Sequence, residues 1–267
     1  MIISILIEFK MYRFQPLSDL HIEFYRNYSE ARIEDTDSDF IVLAGDIHTG
    51  IKGIKWLLEQ KINKPIFYVC GNHEFYGTSY PSNIQKLKEA AKDTNIHVLE
   101  NDYYIYKDLV ILGCTLWTDY RLLDPIIPQG LAMHECYKVM NDFNTIRNSS
   151  YGYRKMHSVD VLNAHKESVD FLSSYLEVFK DWNVGVITHH PPSIRCINPK
   201  HHKDIISCAY ASNLDELVAY SKAKFWVTGH THYSCRFMLG DTLVVSNPAG
   251  YNVSPNTNFI KDLVIEV

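Results

Sequence analysis

Short apolar runs recur along the chain, and each stops at a polar or glycine-containing turn. The runs are rich in β-branched and aromatic residues. Strands that are hydrophobic at nearly every position are typically buried on both faces, which requires covering layers on both sides. The pattern predicts strands at residues 12–17, 40–44, 66–70, 109–112, 184–188, 225–228, 242–246 and 263–267.

Helical patterns lie between these runs, at residues 51–62, 81–92, 158–180 and 213–222. Pro81 suits the first helical position, where its missing amide proton costs no hydrogen bond. Ser212 with Asp215 three residues later predicts a capping box for the last helix. Strand–helix alternation, followed by strands with fewer helices, indicates a layered α/β sandwich. Because the chain has no repeats and no linker-like stretch, we expect a single domain.

Residues 115–157 interrupt this regular pattern. The segment shows few periodicities and carries Trp117, Tyr120, Arg121 and Arg147. Long irregular insertions in compact domains are often lids or binding loops. We predict that the insertion caps the active site and that these four side chains contact the substrate by stacking or charge pairing. The alternative is a surface excursion with a small aromatic core of its own.

Composition excludes several classes of protein. The 267 residues are 46% hydrophobic and 21% charged, which is unlike a disordered, collagenous or coiled-coil chain. The net charge of −5 argues against a protein that grips nucleic acid through its phosphates. The six cysteines are widely spaced and form no C-x-x-C pair, which indicates reduced thiols.

The apolar run at residues 2–9 is too short to span a bilayer and lacks the flanks of a signal peptide. It predicts an edge strand, or an extension that precedes a start at Met11. We expect a cytoplasmic protein that does not contact a membrane.

Polar residues that carry chemistry follow five of the predicted strands. In chain order these are Asp19-Leu20-His21, Gly45-Asp46, Gly71-Asn72-His73-Glu74, His189-His190 and Gly229-His230-Thr231-His232. In open α/β sheets ligands bind at the carboxyl ends of the strands, so these groups are expected to converge on one site. Random placement would produce about 0.9 D-x-H triplets, but only about 0.04 G-N-H and about 0.03 G-H-x-H. The combination is therefore informative, although D-x-H alone is not.

The residue types favour a metal site. Neutral imidazoles, carboxylates and an amide oxygen suit Mn²⁺, with iron or Zn²⁺ as alternatives. The candidates exceed what one tetrahedral ion needs, and a carboxylate can bridge two ions, which would clamp the attacking and leaving oxygens of a displacement at phosphorus. His73, beside a candidate ligand, is placed to donate a proton to the leaving oxygen. The candidate ligands are Asp19, His21, Asp46, Asn72, His189, His230 and His232.

These five blocks, in this order, resemble the calcineurin-like metallophosphoesterase superfamily. The segments 115–119 and Asn247-Pro248-Ala249-Gly250-Tyr251 are also similar to those of a bacterial subgroup of undefined substrate. The resemblance implies an αββα sandwich of two mixed sheets flanked by helices, formed by residues 1–267 as one metallophosphoesterase domain.

The resemblance also implies roles for individual residues. One metal ion would be held by Asp19, His21, Asp46 and His232, and the other by Asp46, Asn72, His189 and His230. A hydroxide that bridges the two metals would be the nucleophile, and His73 the proton donor. His48 and His190 are expected to support the ligands or to face the substrate. Glu74 is expected to orient the loop that carries His73.

We therefore predict a dinuclear, manganese-dependent phosphoesterase that hydrolyses a small phosphorylated substrate, either a monoester or a diester. A nuclease that acts on polynucleotides is one alternative, but it would need a basic stripe near the site. An inactive scaffold that binds a protein partner is another, although no ligand position departs from the family pattern.

Overall fold

The computed structural model describes residues 11–26 and 31–267, so the predicted strand at residues 2–9 lies outside the described residues. The strands of the first half are β1 (Arg13–Leu17), β2 (Phe40–Leu43), β3 (Ile66–Val69), β4 (Ser79–Tyr80), β5 (Ile96–Leu99), β6 (Asp102–Tyr106), β7 (Leu109–Cys114), β8 (Arg147–Asn148) and β9 (Arg154–Lys155). Those of the second half are β10 (Asn183–Thr188), β11 (Phe225–Thr228), β12 (Cys235–Leu239), β13 (Thr242–Ser246), β14 (Gly250–Tyr251), β15 (Ser254–Pro255) and β16 (Ile265–Glu266).

Two mixed sheets form the centre of the structure. The five-stranded sheet has the order β16-β1-β2-β3-β5, in which only the β16–β1 pair is antiparallel. The six-stranded sheet has the order β12-β13-β11-β10-β7-β6, with antiparallel pairs at its two edges. The central strands of each sheet are therefore parallel, and their carboxyl ends lie at one edge of that sheet.

Each parallel strand buries both of its faces. In β2, Phe40 and Val42 pack into the layer between the sheets, whereas Ile41 and Leu43 face the opposite side. The layer between the sheets also contains Phe225 of the six-stranded sheet. This two-sided burial explains why the strands read as continuous apolar runs.

Helices cover the outer faces of both sheets. They are α1 (Lys52–Glu59), α2 (Ser82–Ala90), α3 (Gln129–Val139), α4 (Asp142–Thr145), α5 (Ser158–Val178) and α6 (Asp215–Ser221). Trp56 and Leu57 of α1 pack with the five-stranded sheet, and Leu172 and Leu176 of α5 pack with the six-stranded sheet. The predicted αββα sandwich is confirmed. No helix among the described residues is long and apolar enough to cross a membrane.

The structure corrects two local predictions. The predicted capping box is wrong, because α6 begins at Asp215 after Leu214 and the Ser212 hydroxyl instead accepts the Asp119 N–H at 3.4 Å. Residues 115–157 are not irregular throughout, since they contain α3, α4, β8 and β9. The pattern also missed β5, β6 and β12, of which β6 is largely exposed at a sheet edge and so lacks a continuous apolar run.

Candidate metal centre

The structure brings all seven predicted ligands together where the parallel strands of both sheets end. Asp19, Asp46 and Asn72 lie on the loops that follow β1, β2 and β3, and His189 and His230 follow β10 and β11. Six of the seven side chains are buried, and the His232 side chain is 22% exposed. This convergence places polar groups at a depth where they need partners or a cation.

The ligand loops have unusual backbone conformations. Positive φ angles occur at Asp19, His21, Asp46, His230 and His232. The left-handed region is uncommon for residues other than glycine, and such strain is typical of functional sites. A Cβ atom on Gly71 would lie 2.1 Å from Asp46 Oδ1, and one on Gly229 would lie 2.6 Å from Asp19 Oδ2. The glycines of G-N-H and G-H-x-H are therefore required by the close approach of a ligand carboxylate.

Asp19, His21 and His232 form the first group of ligand atoms, which lie within 4.8 Å of one another. Nε2 of His21 is 3.0 Å from Nε2 of His232, which is 3.4 Å from Asp19 Oδ1. Nδ1 of His21 donates a proton to Glu23 Oε1 at 3.2 Å, because a carboxylate only accepts. In the neutral ring the Nε2 lone pair of His21 then points into the group.

Asp46, His189 and His230 form the second group. Nδ1 of His189 donates to the Ala44 carbonyl oxygen at 2.8 Å, so its Nε2 carries the lone pair of the neutral ring. That Nε2 lies 3.1 Å from Asn72 Oδ1, 3.2 Å from His230 Nδ1 and 3.5 Å from Asp46 Oδ1. Nε2 of His189 thus lies within 3.5 Å of a potential ligand atom from each of three other residues.

Asp46 lies between the two groups. Its Oδ1 faces His189 of the second group, and its Oδ2 is 3.8 Å from Nε2 of His21 in the first. Its Oδ1 also accepts the backbone N–H of His73 at 2.8 Å, which fixes the carboxylate in this orientation. One carboxylate is therefore placed to serve both groups.

The electrostatics of the cluster favour a cation. Burial alone would lower the pKa of His189, but the Asp46 carboxylate outweighs it and raises that pKa to about 9. Burial would raise the pKa of Asp46, whereas His189 and His73 hold it well below its usual range. A carboxylate that stays ionised, beside an imidazole whose pKa is raised by it, fits a divalent metal ion, whose charge would replace that of the imidazole proton.

His73 lies next to this cluster. Its Nδ1 donates to Glu23 Oε1 at 2.8 Å, and its Nε2 is 3.4 Å from the Tyr251 hydroxyl and 3.9 Å from Asp46 Oδ2. Burial would lower the pKa of His73, but Asp46 and Glu23 raise it to about 9. The ring can therefore hold a proton on the nitrogen that faces the site.

Glu74 joins two ligand loops. Its carboxylate accepts the backbone N–H groups of Asp46, Ile47 and Gly71 at 2.9, 2.8 and 2.6 Å, and the Tyr68 hydroxyl at 2.7 Å. Its contacts thus extend beyond its own loop to the loop after β2.

His48 and His190 are both buried and do not line the cavity beside the ligands. Nδ1 of His48 accepts the Thr49 N–H at 2.7 Å. His190 donates to the Thr115 carbonyl oxygen at 3.2 Å, and its ring packs 4.1 Å from that of His230. Of the two predicted roles for His190, its position corresponds to support of a ligand rather than to contact with substrate.

A cavity of about 580 Å³ opens beside the ligands. Its ligand wall consists of Asp46, Asn72, His73, His230, His232 and Tyr251. The segments around α3 and residues 197–210 contribute an apolar wall, which consists of Val139, Met140, Ile197, Ile206 and Tyr210, and the polar side chains of Asn141, Asn198, His201, Asp204 and Ser207 beside it.

The four predicted substrate contacts from residues 115–157 do not line this cavity. Trp117 and Tyr120 are each 1% exposed and belong to the hydrophobic core. Arg121 pairs with Asp124 at 2.6 Å, and Arg147 lies in β8. The insertion reaches the cavity instead through Val139, Met140 and Asn141.

Sequence reasoning missed several residues of the site. Glu23 lies two residues after His21, as His21 lies two residues after Asp19, and this spacing could have identified it as a candidate. Tyr251 ends a segment already noted for its resemblance to the family. Asp142 and Tyr76 had no local signal: Asp142 Oδ1 accepts the Asn72 amide at 2.8 Å and the Tyr76 hydroxyl at 2.7 Å. Because the Asn72 nitrogen is held this way, its oxygen faces His189.

Comparisons with known proteins agree with the geometry. The sequence model of the calcineurin-like phosphoesterase family matches residues 17–234. An uncharacterized protein of Acanthamoeba polyphaga mimivirus is 24% identical over 266 residues, with 90% of this chain and 91% of that protein covered. The structure is similar to that of a phosphopantetheinyl hydrolase from Mycobacterium tuberculosis, with a TM-score of 0.75, 16% identity and 95% of both chains covered.

Proposed function

The chain belongs to the calcineurin-like phosphoesterase family, and we propose that it hydrolyses small phosphate esters with a dinuclear centre, most simply of two Mn²⁺ ions. Asp46 carries this proposal, because its two carboxylate oxygens face two separate groups of ligand atoms. Asp19, His21, Asp46 and His232 would hold one ion, and Asp46, Asn72, His189 and His230 the other.

Two bound ions would supply neutralisation of the phosphoryl oxygens and activation of the attacking water. The remaining work falls to side chains of this chain. His73 holds a proton on Nε2 and gives it to the leaving oxygen, and Glu23 fixes its ring by accepting from Nδ1. Glu74 holds the backbone of the loop that carries Asp46, and Asp142 keeps the amide oxygen of Asn72 turned toward the centre.

A metal titration and an esterase assay test the proposal together. We expect close to two Mn²⁺ per chain by metal analysis, and Mn²⁺-dependent hydrolysis of p-nitrophenyl phosphate or bis(p-nitrophenyl) phosphate. Well under one ion per chain, together with no turnover of either compound with any divalent metal, would contradict it.

Two further arms of the assay address the alternatives. Single-stranded and duplex DNA are offered beside the small esters, and we expect no preference for polynucleotide, because no described residue that lines the cavity is lysine or arginine. Metal binding without turnover of any ester would instead favour the scaffold.

A further inference from the structure

The cavity beside the ligands has a marked chemical asymmetry. The candidate ligand atoms that line it lie on the ligand wall, whereas the apolar wall presents aliphatic and aromatic carbon. Polar side chains from the same segments line the cavity beside the apolar wall, and none of them is a lysine or an arginine: Asn141, Asn198, His201, Asp204 and Ser207. Met140 and Ile197 are 9% and 4% exposed, so this wall is held in place by its own packing. Tyr210 connects the two walls, since its ring stacks 4.7 Å from that of His230.

The apolar wall is a built part of the structure. Its two segments pack on each other, because Sγ of Cys136 in α3 lies 3.7 Å from the carbonyl oxygen of Ile205. Cys136 and Ala209 also belong to the same buried core. A preformed apolar surface beside a charged centre orders the non-reacting part of a substrate at little entropic cost.

Outside the candidate metal ligands, the protonated ring of His73 faces the cavity, but the Glu23 carboxylate balances its charge at 2.8 Å. Among the described residues that line the cavity, none is lysine or arginine. His201 lies at its edge, but its Nδ1 is hydrogen-bonded to Asp204 at 2.7 Å, so the pair contributes no net positive charge. A second phosphate or carboxylate on a substrate would lose its hydration here without gaining a partner.

The charge of the metal centre is also limited. Two divalent ions would carry four positive charges, of which Asp19 and Asp46 cancel two, and the Glu23 carboxylate lies next to His21 of the same centre. At most two positive charges would remain, which would balance one phosphate group and would not balance a second.

From these observations, and resting on the proposed function, we propose that the substrate carries a single phosphate group on an uncharged, partly apolar leaving group that lies on the apolar wall. Val139, Ile206 and Tyr210 would contact the leaving group while the phosphate meets the metal ions. Nucleoside di- and triphosphates and other esters with additional phosphates would be poor substrates.

Phosphonates test this assignment, because they bind as phosphate analogues and are not hydrolysed. Calorimetry on the Mn²⁺-loaded protein compares methylphosphonate, phenylphosphonate and 1,4-phenylenediphosphonate. We expect phenylphosphonate to bind about tenfold more tightly than methylphosphonate, because its ring is buried on the apolar wall. We expect 1,4-phenylenediphosphonate to bind about tenfold more weakly than phenylphosphonate, or weaker still, because its second phosphonate group would lose hydration without gaining a partner.

The variant Asn141→Lys places a cation on the cavity wall, and Asn141→Gln is its uncharged control. Asn141 lines the cavity and is exposed. Asn141→Lys should improve the affinity for 1,4-phenylenediphosphonate by roughly three- to fivefold and leave that for phenylphosphonate within about twofold. Asn141→Gln should change neither.

The outcomes separate this assignment from the proposed function. Equal affinities for methyl- and phenylphosphonate, or tighter binding of the diphosphonate, would overturn the substrate class while leaving a phosphate-binding metal centre intact. If methylphosphonate and inorganic phosphate fail to bind to the metal-loaded protein, both the substrate class and the proposed function are overturned.

Discussion

The two walls of the cavity are built on different physical principles. The ligand wall consists of buried polar groups at strand ends, held by hydrogen bonds and by backbone in the left-handed region. The apolar wall consists of apolar side chains on the segments around α3 and residues 197–210, which pack mainly on the hydrophobic core. A change in a hydrogen-bonded, charged cluster leaves its neighbours unpaired, whereas a change in an apolar surface removes only contact area. We therefore expect substitutions on the ligand wall to cause large losses of metal content or turnover, and substitutions on the apolar wall to cause smaller changes in KM.

The largest effect is expected from Asp46→Asn. The amide cannot supply negative charge to both ligand groups, so we expect metal content to fall and kcat/KM to drop by roughly 10³-fold or more. Metal analysis and p-nitrophenyl ester hydrolysis measure both quantities. The control is Asp170→Asn, because Asp170 is exposed in α5. If Asp46→Asn retained two ions and near-normal turnover, Asp46 would not bridge the centre.

His73→Gln should separate chemistry from metal binding on the same wall. Loss of the proton donor should lower kcat by about 10²- to 10⁴-fold, while the metal content stays at the level of the unchanged protein. An ester with a good leaving group, such as p-nitrophenyl phosphate, should suffer less than phenyl phosphate, because it needs less protonation. An equal loss for both esters would argue against general-acid catalysis by His73.

Glu23→Gln tests a carboxylate shared by a ligand and the proton donor. Glu23 Oε1 accepts from both His21 and His73, so we expect roughly 10- to 100-fold losses in both kcat and metal affinity. Glu23→Asp, which retains the charge on a shorter side chain, should recover part of each. A loss confined to kcat would restrict the role of Glu23 to His73.

Asp142→Asn extends the comparison to the insertion. Without the carboxylate, the Asn72 amide is no longer held with its oxygen toward His189, so metal affinity should fall by roughly tenfold. Tyr76→Phe removes the hydroxyl that donates to Asp142 and should lower the metal affinity less, because Asp142 still accepts the Asn72 amide. Calorimetric titration with Mn²⁺ compares the two, and a larger loss for Tyr76→Phe would contradict this order.

The smallest effect is expected on the apolar wall. Ile206 packs partly on the core and also lines the cavity, so Ile206→Ala removes area that a substrate would contact. We expect KM for an aryl ester to rise by about fivefold, with metal content and kcat little changed. Methyl phosphate, which cannot reach this wall, should be hydrolysed as before. A fall in metal content with Ile206→Ala would show that the two walls are not independent.

The same contrast explains what could be predicted. The strand-end motifs singled out seven residues that the structure brings together, with His73 beside them, because a buried polar cluster needs particular residue types at particular turns and these leave a pattern in the sequence. The insertion was predicted less well. Trp117 and Tyr120 are core residues, and aromatic composition does not distinguish a ring that packs inward from one that faces a substrate.

The sequence by itself determined the layered α/β fold, the family and the residue types of the candidate metal centre, since periodicity and glycine-flanked motifs are local properties of the chain. Only the tertiary structure decided that Glu23 serves two histidines, that Asp142 holds Asn72 from 70 residues away, and that Val139 and Ile206 face the ligands. These contacts join segments that are distant along the chain, and their energies depend on how the segments pack. No local pattern encodes that packing.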